Sequence, residues 1–378
     1  MMGRINECTP LVSWNGPTDT PKPTSKNFLH WNGNLSTFQQ RAATRVIEAI
    51  EQQAELLVWA VCGAGKTEVL FPGIEKALQL GHKLCIATPR TDVVLELSPR
   101  IKQAFPTTEV ATLYGGSEDR HKSSCDITIS TTHQLLRYYK AFDTIIIDEV
   151  DAFPYSYVKS LQHAVQASRK DSSSIIYLSA TPSKAMQKRV ETKKLNAIKI
   201  PQRYHGHPLP VPRFEWCGNW NKQLEKGKLP ERILKWIQAQ QSQAFLFVPK
   251  IEHIEKVLNI LKDSNVAGVH AEDPDRKEKV AKFRNGEISL LITTTILERG
   301  VTVPNVQVAV LGADDQIFTE SALVQIAGRV GRSAAHPTGD ICFFHFGKTK
   351  EMVGARRQIV KMNEEARRLA EREPVSSL

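Results

Sequence analysis

The feature that most limits the fold of this chain is a series of short, almost uninterrupted apolar runs, each separated from the next by a stretch long enough for a helix. Strands that are apolar on both faces and alternate with helices are typical of a parallel sheet covered by helices on both sides. The sequence therefore predicts an α/β fold. The runs lie at 56–61, 84–88, 127–131, 144–148 and 175–180, and again at 244–249, 290–294, 307–312 and 341–346.

One segment interrupts this alternation. Residues 201–213, "PQRYHGHPLPVPR", contain four prolines and a glycine, which is typical of a linker. A chain of 378 residues is also long enough for two domains of ordinary size. The predicted parts are an N-terminal arm at 1–34, a first α/β domain at 35–200, the linker at 201–213, a second α/β domain at 214–350 and a solvated C-terminal surface helix at 351–378.

Composition narrows the class of protein. No apolar run reaches the roughly 18 to 20 residues that a membrane-spanning helix needs, and the N-terminus lacks the order of a signal peptide, so we expect a cytoplasmic protein. The six cysteines include no Cys-x-x-Cys pair. We therefore expect buried, reduced thiols rather than a disulfide framework or a complete zinc site.

The charge of the chain favours an anionic partner. The formal net charge is +10, which by itself does not distinguish nucleic acid from acidic lipid or from no partner at all. Much of the excess is local, because residues 183–213 carry eight basic residues and one acidic residue, a net charge of +7. Two interpretations of this basic segment stay open, a solvated connector and a DNA-facing surface.

A predicted strand runs directly into "AVCGAGKT", residues 60–67, and a predicted helix follows. This context is typical of a phosphate loop, in which backbone N–H groups hold phosphates at a helix N-terminus, Lys66 reaches the terminal phosphates and Thr67 holds Mg²⁺. The usual pattern begins with glycine, and here that place is Ala60. The alternative is a glycine-rich turn with an incidental lysine. The predicted nucleotide-binding residues of the loop are Gly63, Ala64, Gly65, Lys66 and Thr67.

A second predicted strand ends in "IIIDEVDAF", which places Asp148 and Glu149 at the carboxyl edge of the sheet. Ligands of open α/β sheets bind at that edge. Beside a phosphate loop, Asp148 is predicted to hold Mg²⁺ and Glu149 to orient the attacking water. Alone, the pair would be equally consistent with a solvated strand end.

The second predicted domain contains "QIAGRVGR", residues 325–332. Arg329 and Arg332 lie one helical turn apart and follow glycines that permit close approach. Paired arginines suit the charge that develops on a transferring γ-phosphoryl group, so we predict that both are catalytic. The alternative is a pair of arginines at the start of a surface helix.

Taken together, these motifs resemble superfamily 2 helicases and translocases over nearly all of 35–350. The resemblance implies two RecA-like parallel-sheet domains in tandem, with an ATP cleft between them and Mg²⁺ as the cofactor. It also implies that Gln39, in "LSTFQQRA", reads adenine and that Ser179 and Thr181, in "LSATPS", couple hydrolysis to domain movement. Further nucleotide contacts implied by "ILERG" are Glu298 and Gly300. The implied nucleic-acid contacts are Pro89, Arg90, Gly115, Gly116, Thr131, Thr132 and Thr294.

Within that superfamily the chain resembles the ComFA family of competence proteins. The features that carry this resemblance are "DEVDAFPY" at 148–155, "LSATPS" at 178–183, "RYHGHPLPVP" at 203–212 and "ILERGVTVPNV" at 296–306. The resemblance implies an ATP-driven motor on single-stranded DNA that serves uptake of transforming DNA. Its implied location is the cytoplasm or the inner face of the membrane, with other competence proteins as partners.

The N-terminal arm departs from the ComFA pattern. Proteins of that family carry a four-cysteine zinc module near the N-terminus, whereas this arm contains only Cys8. Either the sequence begins after most of the module, so that the arm is its remnant, or the protein lacks it. One cysteine does not make a structural zinc site, so zinc is expected only if a fuller module exists.

Two other functions remain open. A general superfamily 2 DNA or RNA helicase would use the same ATPase with a different output. A non-catalytic nucleic-acid-binding scaffold is the alternative from another class, but it would have no need of the water-activating Glu149.

Overall fold

The computed structural model describes residues 27–122, 125–297 and 303–372. The chain forms two compact units. One contains the described residues up to Ala60 together with Gly65–Ile200, and the other contains Val61–Ala64 and the described residues from Pro201 onward.

The first unit is built on a seven-stranded parallel sheet with the order β3-β4-β2-β5-β6-β1-β7. Its strands are β1 Glu55–Ala60, β2 Leu84–Thr88, β3 Val110–Leu113, β4 Ile127–Thr131, β5 Phe142–Ile147, β6 Arg169–Ser179 and β7 Asn196–Ile200. Its α-helices are α1 Thr37–Glu51, α2 Lys66–Gln79, α3 Thr91–Ala104, α4 Lys159–Ser168 and α5 Lys184–Glu191, and short 3₁₀ helices lie at Glu118–His121 and Thr132–Arg137.

The second unit is built on a six-stranded parallel sheet with the order β10-β11-β9-β12-β13-β8. Its strands are β8 Arg213–Trp216, β9 Gln243–Phe247, β10 Val266–Val269, β11 Leu290–Thr293, β12 Val306–Leu311 and β13 Ile341–His345. Its α-helices are α6 Trp220–Glu225, α7 Glu231–Gln238, α8 Ile251–Leu261, α9 Arg276–Arg284, α10 Glu320–Ala327 and α11 Lys350–Arg372, with a 3₁₀ turn at Thr295–Leu297.

All nine apolar runs singled out in the sequence are strands, so the predicted α/β class is confirmed. The strands that the sequence analysis missed are β3, β7, β8 and β10. All four lie at the edges of their sheets, and β7 and β8 leave several of their residues partly exposed. An edge strand pairs on one side only and needs less apolar surface, so its sequence signal is weak.

The proline-rich segment 201–213 is part of the second unit and packs within it. The backbone N–H of Leu209 donates to Asn363 Oδ1 at 2.8 Å, and Asn363 Nδ2 donates back to the Leu209 carbonyl at 2.8 Å. Arg203 is 1% exposed. The segment predicted as a linker is therefore held in place along much of its length.

The C-terminal helix α11 is amphipathic. We expected a solvated surface helix, and one face is instead buried through Met352, Ala355, Ile359 and Met362, which recur at spacings of three and four residues. Such spacing forms one apolar stripe on a helix. The helix is part of the core of the second unit rather than an appendage.

The cysteines that the structure describes are all buried and free, as predicted. Burial raises the pKa of Cys85, Cys217 and Cys342 to about 12. Thiols with so high a pKa are protonated and unreactive at neutral pH. Cys8 lies outside the described residues.

Helices α1 and α2 approach closely at a glycine, and this contact aligns the helix that carries Gln39 with the helix that begins at Lys66. A Cβ atom on Gly73 would lie 2.5 Å from Val46 Cγ1 and 3.3 Å from Ile50 Cδ1. Val46 and Ile50 are fully buried. The two helices can therefore pack at this distance only if residue 73 has no side chain.

We expect Gly73→Ala to destabilise the first unit by about 1 to 3 kcal/mol, because overpacking a buried contact costs more than the ~1 kcal/mol that alanine gains in a helix interior. Gly354→Ala is the matched control, since its new methyl would meet only the flexible end of Glu320. Urea unfolding of both variants tests this, and the double variant Val46→Ala/Gly73→Ala should recover part of the loss. Equal stability of the two single variants would contradict it.

Candidate functional site

The loop between β1 and α2 has the backbone of an anion-binding turn. Gly63 has φ +79° and Gly65 has φ +70°, a region that residues with a side chain rarely adopt. The N-cap of α2 is Gly65, which has no side chain that could cap the first N–H groups of the helix. The first N–H groups of α2, beginning at Lys66, are thus the kind of donors that bind phosphates at helix N-termini.

Gln39 lies beside this loop. Its Nε2 would be 2.4 Å from a Cβ atom on Gly65, and its side chain is nearly fully buried. A capping box at the start of α1 orients it, because Ser36 N donates to Gln39 Oε1 at 2.8 Å and Gln39 N donates to Ser36 Oγ at 3.4 Å. The predicted adenine-reading residue is therefore anchored next to the phosphate loop.

Asp148 and Glu149 follow β5 in a constrained turn. Asp148 N donates to the Ala87 carbonyl of β2 at 2.8 Å, and Glu149 N donates to Asp148 Oδ1 at 2.8 Å. Glu149 has φ +54°. A non-glycine residue in this region costs about 1 to 3 kcal/mol, and such residues cluster at active sites, although Gln53, Lys140, Lys193 and Lys262 also adopt positive φ here. The surrounding structure thus holds Glu149 in a strained conformation beside Asp148.

Asp151 connects this turn to the end of β6. Ser179 Oγ donates to Asp151 Oδ1 at 2.6 Å, Thr181 Oγ1 donates to Asp151 Oδ2 at 2.7 Å, and Thr181 N donates to Ser179 Oγ at 2.9 Å. Asp151 lies in the acidic stretch 148–155 but was not predicted to have a role of its own. A third carboxylate in that stretch was the available signal, but its partners are visible only in the structure.

The order of the first sheet brings these groups to one edge. Strands β5, β6 and β1 are consecutive neighbours in a parallel sheet. The carboxyl end of β5 leads into the turn that carries Asp148 and Glu149, which we call the acidic turn. Those of β6 and β1 lead into the Ser179–Thr181 turn and the phosphate loop. Carboxyl ends of parallel strands lie at the same edge, which is where open α/β sheets bind ligands.

The predicted nucleic-acid contacts of the first unit follow the other strands at the same edge. Pro89 and Arg90 follow β2, Thr131 and Thr132 follow or end β4, and the Gly115–Gly116 turn follows β3. These strands are neighbours in the order β3-β4-β2, and β2 adjoins β5. One half of the edge therefore carries the nucleotide-binding motifs and the other half carries the predicted nucleic-acid contacts.

Exposure differs among these residues. A Cβ atom on Gly115 or Gly116 would have no neighbour within 4 Å, whereas Thr131 and Thr132 are 5% and 0% exposed. Arg90 forms a bidentate pair with Asp92, at 3.1 Å from Nε and 2.9 Å from Nη2. The glycine turn is open to a ligand, while Arg90 would have to exchange a carboxylate for a phosphate. These contacts stay predictions.

In the second unit, Arg329 and Arg332 lie in the turn after α10, which ends at Ala327. The alternative of paired arginines at the start of a surface helix is therefore wrong. Arg329 is 1% exposed, and its N–H donates to the Ile326 carbonyl at 3.1 Å. Arg332 is half-buried, and its Nε donates to the Gly328 carbonyl at 2.9 Å.

The other predicted residues of the second unit follow β11. Thr294 comes directly after that strand and is half-buried, and its carbonyl accepts from Thr293 Oγ1 at 3.3 Å. Glu298 and Gly300 lie outside the described residues.

The basic segment 183–213 is only partly available to a ligand. Arg189 pairs with Glu55 at 2.7 Å, Lys199 Nζ lies 5.3 Å from the centre of the Trp59 ring, and Arg213 pairs with Asp340 at 3.0 Å. Arg203 is buried, as described above. The exposed basic residues of the segment are Lys184, Lys188, Lys193, Lys194 and Arg213, and of these Arg213 is already paired with Asp340. The solvated and DNA-facing interpretations therefore concern mainly the four lysines.

Two oxygen-bearing side chains at the carboxyl edge of the first sheet are suitable ligands for Mg²⁺. Thr67 supplies a hydroxyl and Asp148 a carboxylate, and both are 9% exposed. Mg²⁺ is commonly held by one or two such oxygen ligands together with substrate phosphates and waters. Within the described residues no cluster of three or more His, Cys, Asp or Glu side chains forms a metal site, and no helix there is long and apolar enough to span a membrane.

Comparison with known proteins identifies the class of protein to which this chain belongs. Residues 32–184 match the family described as "Type III restriction enzyme, res subunit", and residues 226–334 match the "Helicase conserved C-terminal domain". The structure of S. cerevisiae Dbp5 bound to RNA and ADP BeF3 is similar in fold, with a TM-score of 0.63, 15% identity and coverage of 90% of this chain and 93% of that one. The chain thus has the two ATPase domains of a superfamily 2 helicase, in the tandem RecA-like fold that was predicted.

The particular family follows from closer relatives. Competence protein ComFA of Bacillus subtilis is 55% identical over 369 residues, covering 96% of this chain and 79% of that protein. Competence protein ComFA of Streptococcus pneumoniae is 40% identical over 355 residues, covering 92% of this chain and 81% of that protein. The chain belongs to the ComFA family of competence proteins, which confirms the resemblance inferred from its motifs.

We expect Asp151→Ala to lower the free energy of unfolding by about 1 to 3 kcal/mol, because two hydroxyl donors at the edge lose their charged acceptor. Urea unfolding measures the loss. Asp171→Ala, which removes a highly exposed carboxylate paired with Lys140, is the matched control and should leave stability unchanged. In a Ser179→Ala/Thr181→Val background, Asp151→Ala should cost little more. Fully additive losses would show that Asp151 acts through other partners.

Proposed function

We propose that this protein is an ATP-dependent single-stranded DNA translocase that drives uptake of transforming DNA. The observation that carries the proposal is the parallel edge of the first sheet, where the ends of β1, β6 and β5 present the phosphate loop, the Ser179–Thr181 turn and the acidic turn side by side. A scaffold that only binds a ligand would not need a strained Glu149 next to Asp148. Membership of a family of competence proteins supports the biological role.

The nucleotide-binding roles follow from these positions. The N–H groups of Gly65 and Lys66 bind phosphate oxygens, the Lys66 ammonium neutralises the terminal phosphates, and Gln39 reads the adenine. Thr67 and Asp148 would hold Mg²⁺, which when bound neutralises charge on the β- and γ-phosphates. Glu149 orients the attacking water and accepts its proton. The remaining loop contacts in the proposal are Gly63 and Ala64, with Glu298 and Gly300 from the second unit.

Arg332 and Arg329 supply positive charge to the γ-phosphoryl group in the transition state. Arg332 is the better candidate for direct contact, because it is only half-buried while Arg329 is 1% exposed. Arg329 is better suited to anchoring the turn. Ser179 and Thr181, held by Asp151, couple hydrolysis to movement, since they lie at the sheet edge beside the acidic turn.

DNA binding is proposed to use the other half of the edge. Main-chain groups around Gly115 and Gly116 and the side chain of Arg90 contact phosphates of one strand, as do Pro89, Thr131 and Thr132. Thr294 makes the equivalent contact from the second unit. Phosphate contacts position a strand without reading its bases, so binding is independent of sequence. The motor would work in the cytoplasm or at the inner face of the membrane, with other competence proteins.

Glu149→Gln should lower ATP turnover by about 10²- to 10⁴-fold, the usual contribution of a general base, while ATP affinity stays close to that of the parent. Lys66→Ala should lose both turnover and affinity, because it removes the phosphate-binding cation. Phosphate release and binding of a fluorescent ATP analogue measure the two quantities separately. Glu231→Gln, on the exposed surface of α7, is the control. Turnover within a few-fold of the parent in Glu149→Gln would place the water-orienting residue elsewhere.

Single-stranded DNA should stimulate ATP hydrolysis far more than duplex DNA or RNA, with little dependence on base sequence. Stimulation should fall steeply with salt, because each phosphate neutralised by Lys or Arg releases counterions, with a log–log slope of about −0.7 per contact on a single strand. The measurement is ATPase rate against matched single-stranded, duplex and RNA ligands at several salt concentrations. Equal stimulation by duplex or RNA would favour the general helicase, and the absence of ATP hydrolysis with or without nucleic acid would favour the non-catalytic scaffold.

The same titration tests the basic segment. Lys188→Glu/Lys194→Glu reverses two exposed charges, and a DNA-facing segment should then show a flatter salt slope. An unchanged slope would identify the segment as a solvated connector.

A further inference from the structure

We propose that Arg203, assisted by His205, is a positioning residue for ATP hydrolysis that holds the turn carrying Arg332 in its catalytic conformation. The proposal rests on the function proposed above and deepens it. Both residues belong to the segment 201–213, which the sequence predicts as a linker and which forms the end of the basic segment 183–213. All of the contacts that carry the proposal lie within the second unit.

Arg203 donates hydrogen bonds to the backbone of the turn that carries Arg329 and Arg332, which we call the arginine turn. Its guanidinium donates through Nη2 to the Val330 carbonyl at 2.7 Å and through Nη1 to the Gly331 carbonyl. The side chain is 1% exposed. A planar guanidinium with two parallel N–H groups suits two successive carbonyls, because its donors are fixed in a fork. Arg203 thus fixes the two peptide units that precede Arg332.

His205 adds a second donor to the same carbonyl. Its Nε2 lies 3.1 Å from the Gly331 oxygen, and its Nδ1 accepts from the backbone N–H of His207 at 3.2 Å. These two contacts require the neutral ring with its proton on Nε2. Burial lowers the pKa of His205 and outweighs the hydrogen bond to Gly331, which raises it. The lowered pKa favours that neutral form. The Gly331 oxygen is therefore held from two sides.

The geometry of the peptide bond transmits this restraint to Arg332. The Gly331 carbonyl and the Arg332 nitrogen belong to one planar unit, so a fixed oxygen fixes the direction in which Arg332 leaves the turn. Gly331 has φ +70°, and a Cβ there would lie 2.2 Å from the Pro337 carbonyl oxygen. The Arg332 side chain is also held from its own turn through Nε to Gly328. Main chain and side chain of Arg332 are both restrained.

A contribution to stability does not by itself explain why an arginine is buried at position 203. Its hydrogen bonds in the described part of the chain go to neutral carbonyls, and its buried Nε makes no hydrogen bond there. Burial lowers the pKa of Arg203 to about 10, and the nearby charge of Arg332 acts in the same direction. A buried charge without a carboxylate partner and with an unpaired donor is costly. The position is better explained by the geometry that a guanidinium imposes on the turn.

A double-mutant cycle between Arg203 and Arg332 tests the proposal. The variants are Arg203→Lys, Arg332→Ala and the combination, each measured for kcat, KM and ATP affinity. Arg203→Lys keeps the charge but loses the planar fork, and we expect kcat to fall about 10- to 100-fold with KM little changed, since small misplacements of a catalytic group cost that much. In the Arg332→Ala background, Arg203→Lys should change kcat less than about twofold, because it acts only through Arg332.

Two further variants separate positioning from folding. Arg232→Lys makes the same chemical change at an exposed arginine of the second unit that pairs with Glu215, and it should leave kcat unchanged. His205→Ala removes only one donor to Gly331, so its kcat should fall by less than that of Arg203→Lys, again with KM retained. This variant keeps the test valid if the substitution at Arg203 impairs folding.

The outcomes are distinct. Loss of kcat that disappears in the Arg332→Ala background supports the proposal. Additive losses in the double variant, or a loss confined to KM or thermal stability, overturn it while leaving the proposed function intact. If Arg332→Ala itself hydrolyses ATP at the parental rate, or the parent chain shows no hydrolysis, then the proposed catalytic role and this inference both fail.

Discussion

Parallel pairing of every strand in the first sheet is the constraint on which the site depends. Trp59 of β1 pairs with Ser179 of β6, and Ile147 of β5 pairs with Tyr177 of β6. This register brings three loops that are distant in sequence to one edge. A slip of one residue would move a loop by about 3.3 Å relative to its neighbours. Shifts of that size are large against the distances over which hydrogen bonds and catalytic groups act.

The turns at this edge are shaped by unfavourable backbone conformations that the sheet can support. Gly63 and Gly65 adopt positive φ without a side chain to oppose it, whereas Glu149 adopts φ +54° with one. Asp151 braces the neighbouring turn through hydroxyls of Ser179 and Thr181. A rigid sheet that is buried on both faces can hold such strain in place, and the hydrogen bonds of Asp148 and Asp151 stabilise the turn against it.

In the second unit, side-chain hydrogen bonds rather than strand ends hold the turn that carries Arg332. Its arginine turn follows a short helix, α10, and has no strand end to fix it directly. Arg203 and His205 supply the missing restraint by donating to the carbonyls of Val330 and Gly331. The proline-rich segment is itself attached to α11 through the two hydrogen bonds between Leu209 and Asn363. A stretch that looks like a connector in the sequence is in this way part of the framework of the site.

The α/β class, nine of the described strands and the identity of the chemical groups could be predicted from the amino-acid sequence, because continuous apolar runs and a glycine-lysine loop are local signals that need no knowledge of distant neighbours. The motifs in the sequence also indicate the family. Which groups become partners is visible only in the folded chain. Asp151 contacts Ser179, 28 residues away in sequence, and Arg203 contacts Gly331, 128 residues away, while the half-buried Lys199 lies over the Trp59 ring. Such pairings depend on the order of strands in the sheet and on what packs beside them, and no spacing along the chain encodes either.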